Sequence, residues 1–330
     1  LAARTEFKLA SRLRPVYAHE FDSGELLRTY ILQCLSSEKD ETDYRVLDYT
    51  SARFKKQKSD FFRLCGGSLG GKARGLAFAR FMIKQSGIEE EFEDVTIRVP
   101  DCAVVGTHEF DQFMKDNQLW QKALNIDDNK KLERAFKKAR LSIDLILKLE
   151  SFILDHKNPL AVRSSSLLED SQYQPLAGSY QTIMLPNNSR STKKRLNELM
   201  IAIKSVFAST FKGEAKSLLD STGHRIEEEK MAVVIQEIVG QSYKSKRFYP
   251  TFSGVLKSIN YYPVSYMKRD EGVAYLALGF GRTIVDGEKC LRISPEYPLI
   301  LPQFYSVKAT KQNSQNQFYG LQLKASENNS

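Results

Sequence analysis

The sequence predicts an α+β protein of about two folding units. The chain has 330 residues, 42% of them hydrophobic and 27% charged, which is enough apolar material to bury a sizeable core. Amphipathic helical periodicity is frequent in the chain before His224, whereas short β-rich runs follow that residue. This division predicts helices with short strands in the N-terminal part and an antiparallel sheet in the C-terminal part.

Residues 1–60 are charged and weakly patterned, and we expect an N-terminal extension or a linker from an upstream domain. One apolar helical stretch lies around residues 26–35, and the basic run SARFKKQKSD follows it. The chain begins at Leu1 rather than at a methionine, so we interpret it as a fragment of a longer protein.

Residues 61–225 are predicted to form a first lobe in which helices alternate with short strands. A glycine cluster, GGSLGGK, precedes an amphipathic segment at 73–85, and Thr107 is the expected N-cap of the helix that follows IRVPDCAVVGT. The periodicity predicts one long helix over 127–156 and another over 192–211. Between them, LAVRSSS and SYQTIML are typical of short strands.

Residues 226–310 are predicted to form a second, β-rich and incomplete lobe, followed by a polar tail at 311–330. The runs that predict its strands are MAVVIQEIV, TFSGVLKSIN, VSYMKRD and GVAYLALGFG.

Composition excludes several classes of protein. No apolar run reaches the roughly 18 residues of a membrane span, and the N-terminus has no secretory signal, so we expect a cytoplasmic protein without a membrane partner. The net charge of +9 could indicate a polyanionic partner, but the basic clusters lie on helical patterns that favour solvated helix faces. Four widely spaced cysteines favour reduced, buried thiols over a metal site.

A glycine turn before a helix and a strand-end arginine are the first candidates for chemistry. Glycines at Gly70 and Gly71 would let backbone N–H groups approach phosphate oxygens, and Lys72 would add a point charge. The alternative is a purely structural glycine turn. Arg163, at the end of the strand LAVRSSS, could fork onto two phosphate oxygens, or it could pair with an acidic residue of the loop that follows.

Three further residues suit a nucleotide. Gly178 and Thr182, four positions apart, could supply a backbone and a hydroxyl contact to a polyphosphate, although alone they would be an ordinary turn. Gln236, which ends an apolar run, could face a purine edge or be solvated. The four histidines (His19, His108, His156 and His224) are expected at the surface, and none has the context of a nucleophile.

Six elements, in order over roughly residues 65–298, resemble the ATP-binding domain of phosphoenolpyruvate synthase and pyruvate phosphate dikinase, to which rifampicin phosphotransferase is also similar. They are GGKARGLAF, VPDCAVVGTHEFDQFM, LAVRSSSLLEDSQYQPLAGSYQT, MAVVIQEIV, FSGVL, and LGFGRTIVDGE with SPEY. The resemblance implies an ATP-grasp-like, two-lobed nucleotide-binding fold. It also implies that Lys72 and Arg163 hold the polyphosphate, that Gly178 and Thr182 line it, and that Gln236 faces the adenine.

In this family, ATP phosphorylates a histidine on a separate swivelling domain, and the group then passes to pyruvate on a barrel domain. The resemblance therefore implies a kinase or phosphotransferase with ATP and Mg2+ as cofactors, whose phosphohistidine and pyruvate-binding domains belong to the same parent chain. The carrier-histidine motif and the family's magnesium ligand are absent from this sequence, so we expect no catalytic residue and no metal ligand in it. We expect the fragment alone to bind ATP weakly and to be inactive.

The sequence also departs from the family pattern at two positions. Arg282 stands where the family has a glutamate, and Gln181 stands where it has an acidic residue before the threonine. A second hypothesis is therefore a degenerate ATP-grasp-like sensor or scaffold without catalysis. A third and least favoured hypothesis is a basic nucleic-acid-binding domain, for which we find no motif.

Overall fold

A computed structural model describes residues 5–36, 46–49, 61–166, 180–213, 215–216, 229–244, 246–264 and 266–323. The α+β class is confirmed, with helices at the N-terminus and antiparallel sheets in the C-terminal part. The chain divides into two compact units, residues 1–238 and 239–330. No helix in these ranges combines the length and the apolar character that a bilayer crossing requires.

The first unit contains a six-stranded sheet, in its described part, together with the helices that pack on it. In chain order its elements are α1 (Phe7–Leu13), α2 (Gly24–Ser36), β1 (Leu47–Asp48), β2 (Phe61–Arg63), α3 (Gly70–Ser86), β3 (Cys102–Val105), α4 (Thr107–Asp116), α5 (Leu119–Asn125), α6 (Asn129–Lys138), α7 (Ile143–Asp155), β4 (Leu160–Ser166), β5 (Thr182–Leu185), α8 (Thr192–Ser209) and β6 (Met231–Glu237). Short 3₁₀ turns lie at Ala18–Glu20 and Ile88–Glu90.

The strand order of this sheet is β1-β2-β3-β6-β4-β5. Strands β1, β2 and β3 run parallel, whereas β6 pairs antiparallel with both β3 and β4, and β5 pairs antiparallel with β4. Strand β6 therefore lies inside the sheet, although it comes last in the unit. Its continuous apolar run, buried from Met231 to Ile235, is what a strand covered on both faces requires.

Two hydrophobic clusters cover the two faces of the sheet. The larger one packs α4 to α8 against one face through residues such as Phe110, Phe136 and Phe207. The smaller one packs Ala73 and Ala77 of α3 against the other face. Small residues on this side of α3 let its backbone approach the strands closely.

The second unit contains two three-stranded antiparallel sheets among its described residues, β11-β10-β9 and β12-β8-β7. Its elements are β7 (Gln241–Tyr243), β8 (Arg247–Tyr249), β9 (Phe252–Lys257), β10 (Val273–Leu278), α9 (Arg282–Val285), β11 (Leu291–Ile293), a 3₁₀ turn (Pro302–Phe304), α10 (Val307–Asn313) and β12 (Leu321–Gln322).

The structure differs from the sequence prediction in the helices of the first unit. The segment 127–156 forms two helices, α6 and α7, because the chain is extended at Ala139 and Ser142, and the Ser142 hydroxyl caps α7 by accepting from the Leu145 N–H. Helix α4 begins at Thr107 with Gly106 as its N-cap, and the Thr107 hydroxyl instead accepts from the Ser68 N–H at 2.9 Å.

Three further differences concern the C-terminal part. The division between compact units falls after residue 238 rather than after 225, because MAVVIQEIV supplies β6 of the first sheet. The run VSYMKRD contains no strand in its described residues. The predicted polar tail, 311–330, includes the end of α10 and strand β12, which pairs with β8 through Leu321 and Phe248.

Candidate functional site

The glycine turn at the start of α3 packs directly on strand β4. Gly70 has a φ of +73°, and a Cβ at this position would lie 1.7 Å from the Ser165 carbonyl oxygen. The Ser165 hydroxyl donates to the Leu69 carbonyl at 2.8 Å and accepts from the Ala73 N–H at 3.1 Å. A residue without a side chain is therefore required at position 70, because it combines left-handed backbone with close approach to another strand.

Lys72 lies in the first turn of α3, next to the same strand. Its Nζ donates to the Ser164 hydroxyl at 3.1 Å. The ammonium group is thereby held beside the residue that follows Arg163 in β4. The positive end of the α3 dipole lies at the same turn, so backbone and side chain contribute positive charge together.

Arg163, Thr182 and Gln236 lie on one face of the sheet. Arg163 pairs with Thr182 of β5 on one side and with Val234 of β6 on the other, and residues directly opposite in antiparallel strands share a face. Gln236 is two residues beyond Val234 and therefore lies on that face as well. Its Oε1 accepts a hydrogen bond from Arg163 Nη1 at 3.2 Å.

The guanidinium of Arg163 has a neutral side-chain partner. Its side-chain partner, Gln236, is a neutral amide, and within the described ranges no salt bridge involves Arg163. By contrast, Arg63 is paired with Asp48 at 2.6 Å. A cation that is positioned by a neutral group remains able to attract an anionic ligand.

Cys102, at the start of β3, pairs with Gln236 and lies near Arg163. Burial, with the nearby charge of Asp101, raises the pKa of Cys102 to about 12, although Arg163 and Arg80 oppose the shift. The thiol is therefore neutral and is a packing residue rather than a nucleophile.

The structure places four of the five sequence-predicted site residues in the first unit. Lys72 and Arg163 are linked to adjacent positions of β4, Thr182 is exposed on β5, and Gln236 contacts Arg163. Gly178 lies outside the described residues. Arg163, Thr182 and Gln236 thus share a face of the sheet, and Lys72 contacts the next residue along β4. Cations, a hydroxyl and a helix N-terminus are groups that can bind a polyanion.

Sequence reasoning missed the roles of Ser164 and Ser165, although both lie in the motif that it singled out. Three consecutive serines at the end of a buried strand were the available signal, because buried hydroxyls need hydrogen-bond partners. Their partners, Leu69, Lys72 and Ala73, are more than ninety residues away in the chain. The sequence gives no direct indication of such a distant contact.

The two departures from the expected motif have different surroundings. The Gln181 backbone N–H donates to the Ser209 hydroxyl at 3.2 Å, whereas its side-chain Oε1 is buried and accepts no hydrogen bond from the described residues. Arg282 Nε donates to Asp286 at 2.9 Å, and its guanidinium lies 4.8 Å from the centre of the Tyr319 ring. The charge introduced by Arg282 thus has a partner one helical turn away.

Comparison with known families identifies the fold. The family described as "Pyruvate phosphate dikinase, AMP/ATP-binding domain" matches residues 67–325. The chain belongs to this family. The match includes Lys72, Arg163, Thr182 and Gln236, so these four residues lie inside the part of the chain that matches an AMP/ATP-binding domain.

A curated relative is also similar to part of this AMP/ATP-binding domain. An uncharacterized phosphotransferase of Bacillus subtilis (strain 168), YvkC, is 28% identical over 192 residues, which cover 57% of this chain. The chain spans about a fifth of the length of that relative, since the match covers 20% of it.

Proposed function

We propose that this chain is the nucleotide-binding part of a phosphotransferase that resembles phosphoenolpyruvate synthase and pyruvate phosphate dikinase. In this proposal Lys72 and Arg163 bind the phosphates of ATP, Thr182 lines them together with Gly178, and Gln236 faces the adenine. The nucleotide would phosphorylate a histidine on another domain of the parent protein, which would pass the group to pyruvate.

The observation that carries the proposal is the link between two distant motifs. The turn that bears Lys72 packs on the strand that bears Arg163, through Gly70 and the serines after Arg163. Lys72 donates to the Ser164 hydroxyl, and Arg163 donates to the amide oxygen of Gln236. This arrangement suits a ligand that carries several negative charges, and the membership in an AMP/ATP-binding family supports ATP.

We assign Mg2+ no protein ligand in this chain. It would enter the site as the counter-ion of the triphosphate, whose oxygens are the ligands that Mg2+ usually shares with a protein. The positive groups of this chain would then contact phosphate oxygens that the ion leaves free.

The proposal is tested by measuring ATP affinity of the whole chain and of charge-neutral variants. Lys72→Gln keeps a donor for Ser164 and removes the charge, and Arg163→Gln removes the guanidinium. Losing a charge-assisted hydrogen bond costs about 1.5–3 kcal/mol, so each variant should bind ATP about 10- to 150-fold more weakly. Isothermal titration with ATP and Mg2+ measures this change directly.

The matched control is Lys84→Gln, at the other end of α3, where the ammonium pairs with Glu89 at 3.0 Å. It should leave ATP affinity unchanged. Adenosine has no phosphates, so its affinity should differ between the variants and the wild type much less than the affinity of ATP does. If Lys72→Gln and Arg163→Gln bound ATP as the wild type does, the assignment of the phosphate site would be wrong.

Turnover separates an enzyme from a sensor. The parent protein, assayed with ATP and pyruvate, should release AMP and phosphate if it is a phosphotransferase of this type. ATP binding without any release would instead favour the degenerate sensor or scaffold, in which Arg282 and Gln181 mark the loss of catalysis.

A further inference from the structure

Three metal-ligating side chains from three elements converge at one end of the first sheet. Asp101 immediately precedes β3, Glu237 is the last residue of β6, and His156 follows α7. One ligand atom of each lies within 4.8 Å of the other two, and His156 Nε2 is 3.7 Å from Asp101 Oδ2. All three are half-buried, and the His156 side chain is only 13% exposed, although the sequence predicted a surface histidine.

Two of these residues place like charges directly across an antiparallel strand pair. Cys102 pairs with Gln236, so the next pair outward is Asp101 with Glu237, and the Glu237 N–H donates to the Asp101 carbonyl at 2.9 Å. Opposed like charges on one face of a sheet are destabilising. A cation between the two carboxylates would convert this repulsion into attraction.

The imidazole of His156 presents the correct nitrogen to such a cation. Its Nδ1 lies 3.0 Å from the Phe152 carbonyl, which can only accept a hydrogen bond, so Nδ1 carries the proton in the neutral ring. The lone pair of Nε2 then points toward Asp101. Histidine ligands of metals typically donate their other N–H to a backbone carbonyl in this way.

The surroundings hold the ligands in place. The ring of His156 stacks on that of Phe152, with centroids 4.1 Å apart. The His156 carbonyl accepts from Arg195 Nη1 and Asn187 Nδ2, both at 2.9 Å. Asn158 Nδ2 donates to Glu237 Oε1. Two of the three ligands thus have partners of their own outside the cluster, as metal ligands usually have.

We propose that Asp101, His156 and Glu237 bind a divalent transition-metal ion of the zinc class. Zn–O and Zn–N bonds of about 2.0–2.2 Å require tetrahedral ligand atoms about 3.3–3.6 Å apart, so small side-chain rotations would complete the site. The imidazole favours Zn2+ or Co2+ over Mg2+ and Ca2+, which prefer oxygen ligands alone. Three protein ligands leave a fourth position for water.

Equilibrium dialysis of the whole chain against Zn2+ tests this site without any nucleotide present. The wild type should bind one ion that Mg2+ does not displace. Glu237→Gln retains an acceptor for Asn158 and removes one charge, so it should fold normally and lose at least about tenfold in Zn2+ affinity. Asn158→Ala, which leaves all three ligands in place, should lose about 10- to 100-fold.

Thermal unfolding gives an independent readout. Because Glu237→Gln removes the repulsion from Asp101, its metal-free form should unfold at the same temperature as the wild type or at a higher one. Added Zn2+ should raise the unfolding temperature of this variant less than that of the wild type. The matched control is Glu150→Gln, an exposed carboxylate on α7, which should behave as the wild type does in both assays.

Histidine NMR identifies the nitrogen that binds. Zn2+ should shift Nε2 of His156, and Nδ1 should keep its proton. Wild-type Zn2+ affinity in Glu237→Gln, coordination through Nδ1, or no saturable binding in the wild type would overturn the proposal. In the last case the cluster would be an ion pair, which is supported by the raised pKa of His156. Burial opposes the charged ring, but the hydrogen bonds to Asp101 and Phe152 and the charges of Asp101 and Glu237 together raise the pKa.

Discussion

Replacing Gly70 by alanine tests whether the turn that carries Lys72 is locked onto strand β4. The new Cβ would lie 1.7 Å from the Ser165 carbonyl oxygen, which is about half of a normal contact distance, and the φ of +73° is strained for any residue with a side chain. Neither the helix nor the strand can move without breaking contacts, since the obstacle is backbone.

The expected cost can be worked out from these contacts. Left-handed backbone costs alanine about 1–2 kcal/mol. Displacing Ser165 also loses its hydrogen bonds to Leu69 and Ala73, each worth about 1 kcal/mol. Gly70→Ala should therefore lower the free energy of unfolding by about 3–4 kcal/mol and weaken ATP binding as well.

Gly75→Ala on the same helix is the matched control. A Cβ at position 75 meets no atom within 4 Å, and the residue is exposed inside α3. The same substitution should there stabilise the protein by about 0.8–1 kcal/mol, because alanine is the better helix former.

The single tryptophan provides the assay. Trp120 packs edge-on against Phe110 and Phe211, so its fluorescence reports unfolding of the first unit, which contains both glycines. Urea titrations should place the midpoint of Gly70→Ala below that of the wild type and that of Gly75→Ala above it. Equal midpoints for the two variants would refute the close approach on which the site depends.

Two further predictions concern the contact between Ser142 and Glu109, and the same fluorescence assay measures both. Ser142→Ala removes the N-cap of α7 and the 2.7 Å hydrogen bond to the Glu109 carboxylate, so it should cost about 2–3 kcal/mol; a loss below 0.5 kcal/mol would contradict this account. Burial raises the pKa of Glu109 above its ordinary 4.5, so its stabilising contribution is present below pH 4.5 and is lost as the pH rises through the folded-state value. The stability of Glu109→Gln relative to the wild type should therefore increase as the pH rises above about 4.5, and a constant difference would contradict the shift.

Local sequence patterns predict which residues form a strand better than they predict which other strands it pairs with. The apolar residues of Met231–Glu237 predict a strand, and this run forms one. Its position between β3 and β4 depends on pairings across more than sixty residues, and nothing within the run specifies them. This is why the sequence predicts this strand in the second lobe, whereas it belongs to the sheet of the first unit.

The break between α6 and α7 had a local signal that periodicity concealed. Apolar residues recur at helical spacing on both sides of the break, so the pattern predicted a single helix. Ser142 is a good N-cap residue and is followed by Asp144 in the first turn, which together are typical of a helix start. Capping chemistry was the better guide here, because Glu109 from α4 holds Ser142 in place.

The candidate residues could be predicted one at a time, but not the contacts that connect them. Motif order predicts Lys72, Arg163, Thr182 and Gln236 as site residues. The hydrogen bond between Arg163 and Gln236 and the contact of Lys72 with Ser164 follow from tertiary structure alone. The same holds for His156, whose meeting with Asp101 and Glu237 depends on where α7 ends relative to the sheet.

Two consecutive residues of strand β6 belong to different proposed sites, Gln236 to the nucleotide site and Glu237 to the metal site. Gln236 contacts Arg163, and Glu237 faces Asp101 and His156. Successive side chains of a strand point to opposite faces, so Gln236 and Glu237 lie on opposite faces of the sheet. It follows that Glu237→Gln should not change ATP affinity and that Lys72→Gln should not change Zn2+ affinity, which makes failure of one proposal distinguishable from failure of the other.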